Sequence, residues 1–135
     1  MAFHLSPTLH TPEMRLSTAD NRLVLRGVCF PENSLELFRP LRAYLEKNLS
    51  ALLVKPLEVY VELSYINSSS QRELYWLLYD FLQKGGQIKL IIYEGEEEDE
   101  LEDLRHVVHG LEHLSGVTVE YRPGHYGEPA SSPSN

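Results

Sequence analysis

Three consecutive serines, Ser68, Ser69 and Ser70, follow Asn67 and form the segment whose residue types and spacing most suggest chemistry. The segment joins an alternating apolar run to a helix, and the free backbone N–H groups at a helix start favour an anion. A phosphate on a serine there would be stabilised and would add a charge of roughly −2 to an exposed tip. The same residues also suit helix capping, because Ser70 and Glu73 have the spacing of a capping box. On spacing alone, both interpretations remain open.

The helix after the serines carries an arginine and three aromatic residues beside or outside its apolar stripe, and Arg, Tyr and Trp are enriched at the energetic centres of protein interfaces. Together with the serine segment they predict a protein-binding surface. Its members are Asn67, Ser69, Ser70, Arg72, Tyr75, Trp76 and Tyr79. The alternative is that the two tyrosines only border the core.

A polar stripe on the last helix consists of Glu102, His106, His109 and His113, at successive spacings of 4, 3 and 4 residues. Such spacing places the side chains on one helix face, where imidazoles and a carboxylate could hold zinc. One helix supplies neighbouring ligands but not the outer groups that usually orient them. The stripe is therefore interpreted as a solvated face, with a metal site as the alternative, and neither a metal nor another cofactor is predicted.

Composition excludes several functions. The chain has 135 residues, with 12 Lys and Arg against 20 Asp and Glu, a net charge of −8 that disfavours general binding to nucleic acid or anionic lipid. Eight of the acids lie between Glu94 and Asp103, and the remainder of the chain is balanced. We expect this run to leave the sheet near the serine segment. Glycine-rich phosphate loops are missing from the sequence, which argues against nucleotide hydrolysis.

The cellular compartment is predicted from cysteine usage and from the N-terminus. The single Cys29 cannot form an internal disulfide and is expected to be an inert buried thiol. A signal-peptide pattern and an apolar run of about 18 residues are both lacking. We therefore expect a soluble cytoplasmic protein.

Hydrophobic periodicity predicts an α/β domain with the order ββαβαβαβ, with about five strands in a mixed sheet and three main helices largely on one face. The central strand alternates between apolar and polar residues, so the other face is expected to be partly wet. The predicted strands are 11–17, 22–29, 57–66, 88–93 and 117–122. Residues 11–122 form the predicted domain, between a ragged 1–10 and a disordered tail at 123–135.

The helix boundaries rest on caps and breakers. Asn33 or Ser34 is expected to cap the first helix, which Pro40 should kink or divide. Gly85 and Gly86 are expected to end the second helix in a left-handed turn. The last helix is predicted to cover 97–114.

Two motifs resemble the SiaC family of bacterial regulatory phosphoproteins. They are Phe30-Pro31-Glu32-Asn33-Ser34-x-Glu36-Leu37-Phe38 and Leu63-x-Tyr65-Ile66-Asn67-Ser68-Ser69-Ser70. The resemblance implies a STAS-like fold and a partner-switching protein, not an enzyme. It implies phosphorylation by a Ser/Thr kinase at Ser68, with Ser69 and Ser70 as alternatives, and reversal by a metal-dependent phosphatase.

The unmodified form of such a protein is expected to bind and activate a diguanylate cyclase, raising cyclic di-GMP and promoting biofilm formation. Two alternatives remain open from the sequence. One is an anti-anti-sigma-type regulator whose partner is a sigma-factor antagonist. The other is a metal-binding domain that uses the polar stripe of the last helix.

Overall fold

The computed structural model describes residues 2–95 and 102–127 as one sheet with helices on it. The six strands are β1 (Ala2–Leu5), β2 (Glu13–Ser17), β3 (Arg22–Cys29), β4 (Leu57–Ile66), β5 (Ile88–Tyr93) and β6 (Val117–Arg122). The helices are α1 (Ser34–Lys47), α2 (Leu49–Leu52), α3 (Ser68–Gln83) and α4 (Glu102–Glu112).

The strands lie in the sheet in their order along the chain. β1, β2 and β3 are antiparallel neighbours, whereas β3 to β6 run parallel. Parallel neighbours need long crossovers, and α1, α3 and α4 lie in the three connections between the parallel strands. The carboxyl ends of β3 and β4 therefore meet at one edge, from which α1 and α3 begin.

Alternation along β4 decides which sheet face the helices cover. Leu57, Val59 and Val61 are fully buried in the same core as the apolar stripes of α1, α3 and α4. Glu58 and Tyr60, on the other face, are only partly buried. The prediction of helices on one face of a mixed sheet is confirmed, because only that face presents a continuous apolar surface.

The first helix begins as predicted and remains undivided. The side chain of Asn33 accepts a hydrogen bond from the backbone N–H of Glu36 at 3.1 Å, so Asn33 rather than Ser34 is the cap. Pro40 lies inside α1, which continues to Lys47. The prediction that Pro40 divides the helix is wrong, since a single buried stripe that includes Phe38 and Leu41 holds both halves against the core.

Both ends of the chain contain more structure than the sequence predicts. Residues 2–5 were expected to be ragged but form β1, which makes the sheet six-stranded and removes β2 from the edge. The strand is too short for a clear alternating pattern, and the contact of Phe3 with Tyr44, at 5.7 Å between ring centroids, helps to hold it.

The first residues of the expected disordered tail also pack on the sheet. The ring of Tyr126 lies 5.1 Å from that of Tyr60, and the backbone N–H of Tyr126 donates to Glu62 at 2.9 Å. This contact covers part of the face that was expected to be wet, and a local composition rich in Gly and Pro gives no sign of it. Residues 128–135 lie outside the described residues.

The last helix ends earlier than predicted, at Glu112 rather than at residue 114. Its predicted first residues, 97–101, lie outside the described part of the chain. Among the helices of residues 2–95 and 102–127, none has the length and apolarity to cross a membrane.

Replacing each of the two glycines after α3 by alanine should lower the free energy of unfolding by a different amount. Gly85 has a φ of 97° and open space around its α-carbon, whereas a Cβ on Gly86 would lie 2.3 Å from the ring of the buried Phe81. We expect Gly86→Ala to lower the free energy of unfolding by about 3 kcal/mol through overpacking. Gly85→Ala should cost about 1 kcal/mol, the strain of a left-handed backbone. Urea denaturation of both variants checks this order, and equal costs would contradict it.

Candidate phosphoacceptor site and partner surface

Asn67 anchors the serine segment to the carboxyl ends of β3 and β4. Its backbone N–H donates to the carbonyl of Cys29 at 2.9 Å, and its side-chain amide donates to the carbonyl of Pro31 at 3.3 Å. The side-chain oxygen of Asn67 also accepts from the backbone N–H of Ser70 at 3.0 Å. Asn67 is thus the cap of α3, which begins at Ser68. The capping box suggested by the spacing of Ser70 and Glu73 does not form, because the cap lies three residues earlier, at Asn67.

The hydroxyl of Ser34 joins two of the three serines to the start of α1. It lies 2.6 Å from the Ser69 hydroxyl and 2.9 Å from the Ser70 hydroxyl. Ser70 in turn is hydrogen-bonded to the thiol of Cys29. Burial raises the pKa of the Cys29 thiol, and this hydrogen bond opposes the shift only in part. Cys29 is therefore buried, as the sequence predicted, and its raised pKa disfavours the reactive thiolate. We call Cys29, Ser34, Ser69 and Ser70 the hydroxyl cluster.

The three serines differ sharply in accessibility. Ser70 has 0% of its surface exposed, so it cannot contact a partner as predicted while the fold is intact. Ser69 is exposed, but its hydroxyl is held by Ser34. Ser68 is exposed, and among the described residues its hydroxyl has no hydrogen-bond partner. Of the three, the Ser68 hydroxyl is the one that a modifying enzyme reaches without breaking an existing hydrogen bond.

The predicted aromatic residues of α3 form one cluster of rings. The Trp76 ring lies edge-on to those of Tyr75 and Tyr79, at 5.2 and 5.3 Å between centroids. The two tyrosine rings stack at 5.8 Å. Trp76 is 46% exposed, whereas both tyrosines are partly buried. Such a preformed aromatic group is suited to protein contact because its side chains lose little freedom on binding.

A groove between α3 and α4 connects this aromatic cluster to Ser68. Its volume is about 330 Å³, and its lining residues are Ser68, Gln71, Arg72, Tyr75, His106, Val107 and Gly110. A Cβ on Gly110 would lie 3.0 Å from the Tyr75 ring, so the glycine allows the tyrosine to pack against α4. The structure thus brings Ser68, Arg72 and His106 to one place, which the sequence did not predict for the histidine.

Three exposed apolar side chains near the serine segment were missed in the sequence. The Phe30 and Tyr65 rings pack edge-on at 5.8 Å between centroids and are 52% and 43% exposed. Leu35, next to Ser34, is 52% exposed. Phe30 and Tyr65 stand in the two motifs that carry the family resemblance, and this position was the available signal. Exposed apolar groups on the other side of the serines extend the candidate partner surface.

The polar stripe of α4 does not bring together the four residues of the alternative metal site. The possible ligand atoms of His109, Glu112 and His113 lie within 4.8 Å of one another, and all three residues are exposed. Of the four stripe residues, only His109 and His113 belong to this group, and Glu112 replaces Glu102 and His106 as a possible ligand. Glu112 lies near both histidines because His109 is three residues before it and His113 directly follows it. An exposed group of this kind fits the interpretation of a solvated face.

Charged side chains on the open face of the sheet are largely paired with one another. Arg22 lies 3.3 Å from Glu58, and Arg26 lies 3.6 Å from Glu62. Burial raises the pKa of Tyr60, which donates a hydrogen bond to Glu58 at 3.1 Å. These ion pairs leave little unbalanced charge on this face for a ligand.

Part of the acidic run lies near the edge of the sheet at which β4 ends and the serine segment begins. Glu94 lines a cleft of about 360 Å³ together with Ser64, three residues before Asn67. The acids at 96–100 lie outside the described residues, so their position relative to Ser68 remains a prediction.

Comparisons with solved structures show the same fold. A structure of SiaC of Pseudomonas aeruginosa is 25% identical and covers 90% of this chain and 99% of its own, with a TM-score of 0.68. Apo-SiaC of that organism shares the fold at 23% identity, 93% and 99% coverage and a TM-score of 0.69. A chain in the crystal structure of the diguanylate cyclase SiaD in complex with its activator SiaC, also from P. aeruginosa, is 25% identical. It covers 89% of this chain and 99% of its own, with a TM-score of 0.67.

Sequence comparisons point to the same family. An uncharacterized protein of P. aeruginosa (strain UCBPP-PA14) is 34% identical over 84 residues, which span 62% of this chain and 65% of that relative. The expected description STAS-like is replaced by SiaC-like, since the matching structures are those of SiaC. The match to the family covers residues 5–117. This chain belongs to the SiaC family of regulatory phosphoproteins.

Proposed function

We propose that this protein is a phosphorylation-controlled partner switch in the cytoplasm that, in its unmodified form, binds and activates a diguanylate cyclase. A cognate Ser/Thr kinase modifies Ser68, and a metal-dependent phosphatase reverses the modification. The chain itself catalyses no reaction in this scheme. The proposal is supported by membership of a family of regulatory phosphoproteins and by likeness to SiaC, an activator of the cyclase SiaD. The observation that carries it is the exposed Ser68 hydroxyl, free of hydrogen bonds to described residues.

The hydroxyl cluster explains why Ser68 is favoured over its neighbours. A phosphate on Ser69 would break the 2.6 Å hydrogen bond to Ser34. A phosphate on Ser70 would require a dianion to be buried, which is prohibitive without compensating partners. A phosphate on Ser68 disturbs neither interaction and lies at the first residue of α3, where the helix dipole favours negative charge.

The partner surface consists of Arg72, Tyr75, Trp76 and Tyr79 on α3, with Asn67 and Ser69 at its edge. A phosphate on Ser68 would add about two negative charges beside this surface, through the groove that both share. Binding would then require the dianion to lose water without a matching cation on the partner. The cyclase is expected to dissociate for this reason, and cyclic di-GMP production falls.

Phosphorylation is expected on Ser68 alone. Incubation with the cognate kinase and ATP should add one phosphate to the wild type and to Ser69→Ala but none to Ser68→Ala, as read by intact mass and peptide mass spectrometry. Ser69→Ala is the matched control because it removes a neighbouring exposed hydroxyl. Ser70→Ala is unsuitable as a control, since loss of the buried hydrogen bonds should lower the free energy of unfolding by about 1–3 kcal/mol. Modification of Ser68→Ala would contradict the assignment.

Trp76 is expected to be central to cyclase binding. Trp76→Ala should weaken the complex about 30-fold, or roughly 2 kcal/mol, because truncation removes the exposed ring of the aromatic cluster. Calorimetric titration with the cyclase, followed by an assay of cyclic di-GMP synthesis, measures both effects. Val54→Ala is the matched control, since Val54 is 80% exposed and lies between α2 and β4.

Two results would contradict this part of the proposal. Equal affinity of Trp76→Ala and the wild type would place the interface elsewhere. Capture of a sigma-factor antagonist instead of a cyclase by the unmodified protein would favour an anti-anti-sigma-type regulator.

A further inference from the structure

We propose that the groove between α3 and α4 is the receptor for the phosphate on Ser68, and that Arg72 and His106 bind it within the same chain. The proposal rests on the proposed function in taking Ser68 as the acceptor. It adds a site for the modified side chain and a second way in which the phosphate affects the partner surface.

Arg72 has the position and the freedom to reach the phosphate. It lies four residues after Ser68 on α3, so both side chains project from the same side of the helix and both line the groove. Arg72 is exposed and makes no ion pair or hydrogen bond with any described residue. Its guanidinium can therefore bind two phosphate oxygens without giving up another partner.

Most arginines in the described part of the chain are ion-paired, and Arg72 is an exception. Six of the eight arginines form an ion pair with a carboxylate, namely Arg15, Arg22, Arg26, Arg39, Arg42 and Arg122. Within the described part of the chain, only Arg72 and Arg105 lack one, and Arg105 lies outside the lining of the groove. An unpaired arginine beside the candidate acceptor is therefore a specific feature of this site.

His106 approaches from the other wall of the groove. It is exposed on α4, while Tyr75 and Arg72 face the groove from α3. Along α4, the titratable groups within one turn of His106 are Glu102, Asp103, Arg105 and His109. In either charge state, the imidazole of His106 has an N–H that can donate to a phosphate oxygen. Phosphorylation would thus bring a second hydrogen-bond donor into use, from α4.

Among the described residues, the lining of the groove contains neither Asp nor Glu. The nearest acid on α3, Glu73, lies 3.8 Å from Arg42 on another side of the helix. The groove has a volume of about 330 Å³ and is open to solvent, so the oxygens of a phosphate have room in it.

Capture of the phosphate would change the partner surface directly. Arg72 belongs to that surface in the unmodified protein, and a phosphate bound in the groove would occupy its guanidinium. Phosphorylation would therefore remove a binding residue as well as add negative charge. This distinguishes the proposal from simple repulsion of the partner by an exposed phosphate.

The test installs phosphoserine at position 68 during translation, so that no kinase or cyclase is required. The second pKa of the phosphate, ordinarily about 6, is measured by ³¹P NMR. We expect it to be lower by about 1 in the otherwise wild-type protein than in Arg72→Gln. His106→Gln should raise it by a smaller amount. The matched control, Arg105→Gln, removes the same charge from α4 outside the groove and should leave the phosphate pKa unchanged.

The imidazole resonances provide a second measurement on the same samples. The imidazole resonances of His106 should shift on replacement of serine by phosphoserine, whereas those of His109 should change little. An identical phosphate pKa in the wild type and in Arg72→Gln would overturn the proposal. An equal effect of Arg105→Gln would also overturn it, because the effect would then report only net charge. These outcomes do not depend on whether the kinase or the cyclase recognises the protein.

Discussion

The hydroxyl of Ser34 is the point at which the start of α1, the start of α3 and the end of β3 are held together. It bonds to Ser69 and Ser70, and Ser70 continues the chain of contacts to the thiol of Cys29. A buried hydroxyl left without a partner costs about 1–3 kcal/mol, so the buried Ser34 and Ser70 depend on each other. Because the parallel strands β3 and β4 end at the same edge, both helices must begin there, and the cluster fixes how they begin.

Because of this constraint, the three serines 68–70 differ in exposure and in hydrogen bonding although their side chains are chemically identical. Ser69 and Ser70 are occupied in holding the helices, whereas Ser68 points away from them and is exposed. The next turn of α3 adds Arg72 on the same side, and Gly110 allows Tyr75 to close the groove against α4. The proposed switch therefore needs no flexible loop. Its acceptor and the residues around it are held by a packed helix pair.

The open face of the sheet contrasts with this edge. Its arginines and glutamates neutralise one another, and Tyr126 covers its centre by packing on Tyr60. The α3 side instead combines an exposed indole with an arginine and a serine hydroxyl that have no partner within residues 2–95 and 102–127. Exposed arginine and tryptophan side chains are enriched at the energetic centres of protein interfaces. The difference between the two faces supports placing the function at the edge where α3 begins.

Local sequence determined most of the elements and the general place of the site. The alternation of Leu57 to Ile66 and the cap at Asn33 are short-range signals, since backbone periodicity and capping act within a few residues. Tertiary structure decided which serine hydroxyl has no hydrogen-bond partner among the described residues. Ser34, which holds Ser69, lies 35 positions from it in the chain. Tertiary structure also decided that residues 2–5 form a strand, that Tyr126 packs on the sheet, and that Arg72 and His106 line the same groove. Each depends on contacts between distant segments, for which neither hydrophobic periodicity nor motif spacing contains a signal.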